Sequence, residues 1–172
     1  MVHVIKCTGP VLRIAQLGTE LFVCTQLSER VAVYDLNTCS ETRHVTVPGM
    51  KQPRGLAGCK QNNCLYISDN ELKCIHRVDL SNSSCSKWSL NADPRGLSLT
   101  RAFNLLVTLP QSIEEYTTSG SLIRSIKLDV SIDSPRHVIE LSSGQFVVCH
   151  WGSAQHRVCV VDTAGRIVHS YG

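Results

Sequence analysis

The strongest constraint on this chain is a Pro-Arg dipeptide that returns at a fixed interval. Pro53-Arg54, Pro94-Arg95 and Pro135-Arg136 stand 41 residues apart, and the first two continue as Pro-Arg-Gly-Leu. The third reads Pro135-Arg136-His137-Val138. Twelve residues after each proline comes a short apolar run: Leu65-Tyr66-Ile67, Leu106-Val107 and Val147-Val148-Cys149. Phe22-Val23-Cys24 holds the same relation to Pro10, which opens a looser first copy 43 residues before Pro53. A period of this length marks a repeated supersecondary unit that buries its apolar face only by stacking on its neighbours.

Each copy has two more runs. The third ends near an aspartate or an aromatic residue, as in Val31 to Asp35, Cys74 to Asp79, Ile113 to Tyr116 and Val158 to Asp162. A turn of Asp, Asn, Ser, Thr and Gly follows, because these residues tolerate positive φ or bond their own backbone. A fourth run closes the copy: His44 to Val47, Lys87 to Leu90, Leu122 to Leu128 and Arg166 to Tyr171. No long segment has the i, i+3, i+4 spacing of an amphipathic helix. Four short strands repeated about every 40–50 residues make the blades of a β-propeller. The expected fold is all-β, with four four-stranded antiparallel blades at residues 10–50, 51–91, 92–132 and 133–172 of one domain. Residues 1–9 add an N-terminal strand, Val2 to Ile5. The expected core is Val23, Val33, Tyr66, Ile67, Ile75, Val107, Val147, Val148 and Val160.

Pro-Arg-Gly-Leu, then Leu65-Tyr66-Ile67-Ser68-Asp69, then Arg77-Val78-Asp79 resembles an NHL repeat, and Val160 to Gly165 matches the end of that motif. The aspartate after the second strand survives only as Asp69; a ruler laid from the prolines puts Gln26, Pro110 and Trp151 in its place. The resemblance implies a propeller whose loop face receives protein or RNA partners. It also implies that an N-terminal strand completes the last blade of the ring. Here the last copy already has its own fourth strand, so the expectation is an incomplete six-bladed ring, short by about 70 residues at roughly forty per blade. The alternative is a closed four-bladed ring, as in hemopexin-like propellers, with the extra strand outside. Open blade edges would favour self-association.

Composition narrows the partners. A net charge of +3 without a run of Lys and Arg does not by itself call for nucleic acid. The apolar runs are too short for a membrane-spanning helix. The N-terminus has no signal-peptide pattern, which favours a cytoplasmic chain or a piece of a longer one. Nine cysteines, an odd number, and the acceptor triplet Asn82-Ser83-Ser84 leave the compartment open.

The candidate binding face carries Arg54, Arg95 and Arg136 at one repeat position, with Lys51, His137, His150, Trp151 and His156 on the same side. Arg, exposed Trp and His suit an acidic peptide, a phosphate or a single strand of nucleic acid. Alternatively each Arg locks neighbouring blades through carboxylates such as Asp93, Asp133 or Glu140. Cys59 and Cys64 flank a four-residue hairpin and are a candidate disulfide, as are Cys149 and Cys159; all four are otherwise small buried hydrophobes. A zinc site from Cys59, Cys64, Cys85 and Cys74 lacks the usual short paired spacing. No nucleophile elbow, phosphate loop or His-Glu-x-x-His motif is present. His137 and Asp69 are the nearest candidates for a propeller's axial metal. The expected function is therefore macromolecular recognition, with a protein the favoured partner, RNA the second, and no catalytic residue, cofactor or metal. A truncated hydrolase or lyase propeller and a disulfide-stapled extracellular adhesion module are the alternatives.

Overall fold

The computed structural model describes residues 4–5, 7, 9–26, 28–151 and 156–171, with the backbone alone at His156. The chain divides into two compact units, Met1–Ser89 and Leu90–Gly172. Each unit holds two four-stranded antiparallel sheets, with the strands of a sheet paired in chain order.

The first unit begins with blade 1: β1 (Val11–Leu17), β2 (Glu20–Thr25), β3 (Arg30–Asp35) and β4 (Ser40–Thr46). Blade 2 follows with β5 (Pro53–Cys59), β6 (Cys64–Asp69), β7 (Cys74–Asp79) and β8 (Cys85–Ser89). Side chains alternate across a strand, so each sheet has two faces. Blade 1 turns Phe22, Cys24, Val31, Val33 and Val45 toward blade 2, which answers with Leu56, Leu65, Ile67 and Val78. Burying each large aliphatic or Phe side chain contributes about 1.5–3 kcal/mol. That is the force joining blades whose backbones share no ladder.

The second unit repeats the plan. Blade 3 is β9 (Leu97–Leu99), β10 (Leu105–Thr108), β11 (Ser112–Tyr116) and β12 (Leu122–Lys127). Blade 4 is β13 (Pro135–Glu140), β14 (Phe146–Trp151), β15 (His156–Val161) and β16 (Ile167–Tyr171). Leu106, Ile113 and Ile126 of blade 3 meet Val138, Phe146, Val148, Cys159 and Val161 of blade 4. Two glycines permit this close approach. A Cβ on Gly96 would fall 2.5 Å from the Arg136 carbonyl oxygen. Gly165, at φ 80°, would drive a Cβ into the carbonyl oxygen of Lys127.

The recurring prolines and aspartates have local structural causes. Pro53 and Pro135 open their strands, where a missing N–H costs no ladder bond, and a bulge follows each. The aspartate ending the third strand of a blade folds the next turn. Asp35 Oδ1 accepts the N–H groups of Asn37 and Thr38, Asp79 Oδ1 that of Ser81, and Asp162 Oδ1 those of Ala164 and Arg166. In blade 3, Thr117 Oγ1 accepts from Ser121 in the same role. These bonds hold the carboxyls of Asp35 and Asp162 below their ordinary range.

All of the expected core residues are buried except Val147, which is half-buried. Of the expected N-terminal strand, Met1 to His3 lie outside the described residues, and Val4 and Ile5 belong to no strand.

Candidate functional site

In the first unit the loop leading into β5 is fixed from below by one carboxylate. Asp69, fully buried at the end of β6, accepts the N–H of Lys51 at 2.6 Å, of Gln52 at 3.2 Å and of Leu72 at 3.1 Å. His76 Nε2 lies 3.4 Å from Oδ2, the oxygen that also receives Lys51, and Cys74 Sγ lies 3.6 Å from the same nitrogen. Burial pushes the Asp69 carboxyl up, but the N–H groups of Lys51, Leu72 and Gln52 outweigh it and leave the carboxyl below its usual range. Burial pushes the His76 imidazole down, against the opposing pull of Asp69. The pair is therefore a charged carboxylate beside a neutral imidazole. With three backbone amides and His76 around its two oxygens, Asp69 anchors the loop. Lys51 and Arg54 extend from that anchored loop into solvent.

In the second unit the equivalent loops carry an arginine with a different task in each blade. Arg95 is half-buried and donates to the carbonyl oxygen of Pro135 at 2.9 Å, joining blade 3 to blade 4. This bond ties the two blades through a backbone carbonyl. Glu140 instead receives the N–H of Arg101 in the turn between β9 and β10. Arg136 is exposed, and its guanidinium carbon lies 5.4 Å above the ring of Trp151, which is itself 54% exposed. A cavity of about 350 Å³ opens beside Arg95, lined also by Pro110, Gln111, Asp129, Ile132 and Ser134.

Several expected site residues stand elsewhere. His150 is not on the exposed face: it is buried opposite Pro135, in the register position that Asp69 occupies opposite Pro53. The ruler from the prolines gave Trp151 for that position. It missed by one residue because the path from the first to the second strand is one residue shorter in blade 4. His150 Nδ1 has no hydrogen-bond partner among the described residues. His137 is half-buried against Gly96, its Nδ1 2.6 Å from where a Cβ would stand. The side chain of His156 lies outside the described residues. Among the described residues no three His, Cys, Asp or Glu side chains form a group that could hold a metal ion.

The cysteine expectations divide by register. Cys59 and Cys64 are directly opposite each other and fully buried, and both are thiols here. Cys149 pairs with Val158, whereas Cys159 pairs with Val148, so the two cysteines point to opposite faces of the sheet and cannot bridge. The same logic excludes the zinc set. Cys64 shares a face with its partner Asp79, whereas Cys74 and Cys85 share the other face, on which Val78 points at blade 1. The Cys85 thiol instead donates to the carbonyl oxygen of Thr46 on blade 1.

No protein-family model and no curated protein matches the sequence. Solved structures do. Hydrazine synthase from Kuenenia stuttgartiensis is similar over 98% of this chain and 51% of its own, with a TM-score of 0.78 and 22% identity. Virginiamycin B lyase from Staphylococcus aureus is similar over 94% of this chain and 55% of its own, with a TM-score of 0.75 and 15% identity. The WD40 β-propeller domain of Doa1 is similar over 82% of this chain and 48% of its own, with a TM-score of 0.67 and 13% identity. The chain thus spans about half the length of the solved chains it matches. At these identities the likeness concerns the fold, and the fold is that of a β-propeller.

Proposed function

We propose that this chain is a recognition module that receives acidic segments of a protein partner on its arginine-bearing loops, each unit offering its own. The observation that carries the reading is the exposed Arg136–Trp151 stack. Trp and Arg are the side chains most enriched where binding energy concentrates, and a cation over an indole is attracted by the ring's quadrupole. Arg engages a carboxylate in bidentate fashion through its planar fork of donors. Lys51 and Arg54, held out by the Asp69 anchor, supply the same chemistry in the first unit. The cavity beside Arg95 offers an apolar wall at Pro110 and Ile132 for a side chain of the bound segment. The WD40 propeller of Doa1 among the similar structures supports a protein partner as a general kind. The Pro-Arg-Gly-Leu motifs favour an NHL-like member of the propeller class, in a ring that four blades leave incomplete.

A displayed random-peptide library selected on the chain tests this. The expected result is enrichment of peptides rich in Asp and Glu, whose binding is lost in the Arg54→Ala, Arg136→Ala double variant and weakened by salt. A Lys60→Ala control in the turn between β5 and β6 should bind normally. Peptides without acidic residues, or binding unaffected by the double substitution, would overturn the reading. Selective retention of a single-stranded oligoribonucleotide over the peptides would replace the protein partner with RNA.

A further inference from the structure

The seam between blades 3 and 4 has an apolar centre and turns polar toward the arginine loops. Residues two apart on a strand share a face, as do residues paired directly across a ladder. Leu106 and Ile113 face blade 4. Thr108, which pairs with Ile113, and Ser98, which pairs with Leu106, therefore face it too. From the other side Val148 faces blade 3, and so does His150 two residues on. The two rows meet at one level. Thr108 donates its N–H to the carbonyl oxygen of Gly96, and a Cβ on Gly96 would fall 2.5 Å from the carbonyl oxygen of Arg136. Arg136 follows Pro135, which pairs with His150.

Three polar atoms on these facing rows are shut away from solvent. Ser98 Oγ, Thr108 Oγ1 and His150 Nδ1 are buried and have no hydrogen-bond partner among the described residues. Thr108 is fully buried and His150 is 7% exposed. A buried polar group without a partner incurs its full desolvation cost, so native interiors supply one.

The first unit fills the same three positions differently. Cys24 stands two residues after Phe22, which pairs with Ala15, just as Thr108 stands two after Leu106, which pairs with Ser98. Cys24 and Ala15 belong to the apolar cluster between blades 1 and 2. Asp69, at the position of His150, draws its partners from its own loop. The second unit is thus polar on both sides of its seam, at positions where the first is apolar or self-satisfied.

We infer that blades 3 and 4 hold an internal water molecule between them, bound by Ser98 and Thr108 from one blade and His150 from the other. Internal waters make about three hydrogen bonds to buried groups that lack other partners. Both hydroxyls can turn to donate or accept, so the set closes with either tautomer of the imidazole. A divalent cation fits less well, because the trio offers no carboxylate or thiolate. The site is internal to the seam and independent of the peptide reading.

A crystal structure of the unaltered chain, at a resolution that shows ordered water, tests the site directly. The expected result is a water about 2.7–3.2 Å from His150 Nδ1 and from both hydroxyls. Oxygen-17 relaxation dispersion gives the solution counterpart, since it detects long-lived internal waters and not hydroxyl groups. The Ser98→Ala, Thr108→Val double variant should lose the amplitude of one such water, with circular dichroism confirming its fold. A seam without water, a direct bond from a protein group to His150 Nδ1, or an amplitude unchanged by the double substitution would overturn the inference. Should the double variant fail to fold, the crystal structure of the unaltered chain decides alone, by the presence or absence of that water.

Discussion

Replacing Asp69 with Ala isolates the anchor that holds the arginine loop of the first unit. The carboxylate accepts three backbone N–H groups, from Lys51, Gln52 and Leu72. A hydrogen bond to a charged group contributes about 1.5–3 kcal/mol net, and a buried donor left without an acceptor incurs its full desolvation cost. Water can reach the loop at Lys51, so that bond is partly replaced. The expected loss is about 3–5 kcal/mol, at the upper end for a single substitution. Asp69→Asn keeps one carbonyl oxygen for Gln52 and Leu72 and should lose roughly half as much. Urea unfolding gives the magnitude, and amide exchange gives the location: Lys51, Gln52 and Leu72 should lose protection before the strands do. A loss below about 1 kcal/mol, or unchanged protection at those three amides, would refute the anchor.

The other expectations concern separate parts of the fold. Gly165→Ala should destabilise the second unit by more than about 2 kcal/mol in thermal or chemical unfolding, since it combines a left-handed φ with a clash against Lys127. Stability should fall on acidification below pH 6.5, the ordinary value for His76, because the unfolded chain then binds a proton that the buried imidazole refuses until its lowered pKa is reached. The Asp69 contribution is complete above its ordinary value of 3.8 and is lost as pH falls through its lowered folded value. His76→Gln should flatten the first of these phases in urea titrations at stepped pH. Mild oxidation should join Cys59 to Cys64 and not Cys149 to Cys159, as read by peptide mass mapping of the unreduced chain.

Much of the architecture was legible because the causes of the strands are local. The 41-residue interval, the opening prolines and the turn-forming aspartates each act within a few residues, so counting along the chain finds them. The faces were harder. A ruler laid from Pro135 puts Trp151 where Asp69 stands, yet the ladder puts His150 there, and that one-residue slip turns a surface histidine into a buried one. Side chains alternate with a period of two, so any uncounted change in turn length exchanges inside for outside. Cys149 and Cys159 failed as a pair for the same reason, while Cys59 and Cys64, separated by a short hairpin, kept their register. The three arginines share a repeat position but not a task. Whether a guanidinium meets a carbonyl, as Arg95 does, or an indole, as Arg136 does, depends on the next blade and not on its own neighbours in sequence.

Hydrogen–deuterium exchange of the chain with a bound acidic peptide tests the recognition reading most directly. Protection is expected at residues 49–54, at 129–137 and around Trp151, and the turns at residues 60–63 and 141–145 should exchange as in the free chain. Protection confined to those turns, with the arginine loops unchanged, would contradict it.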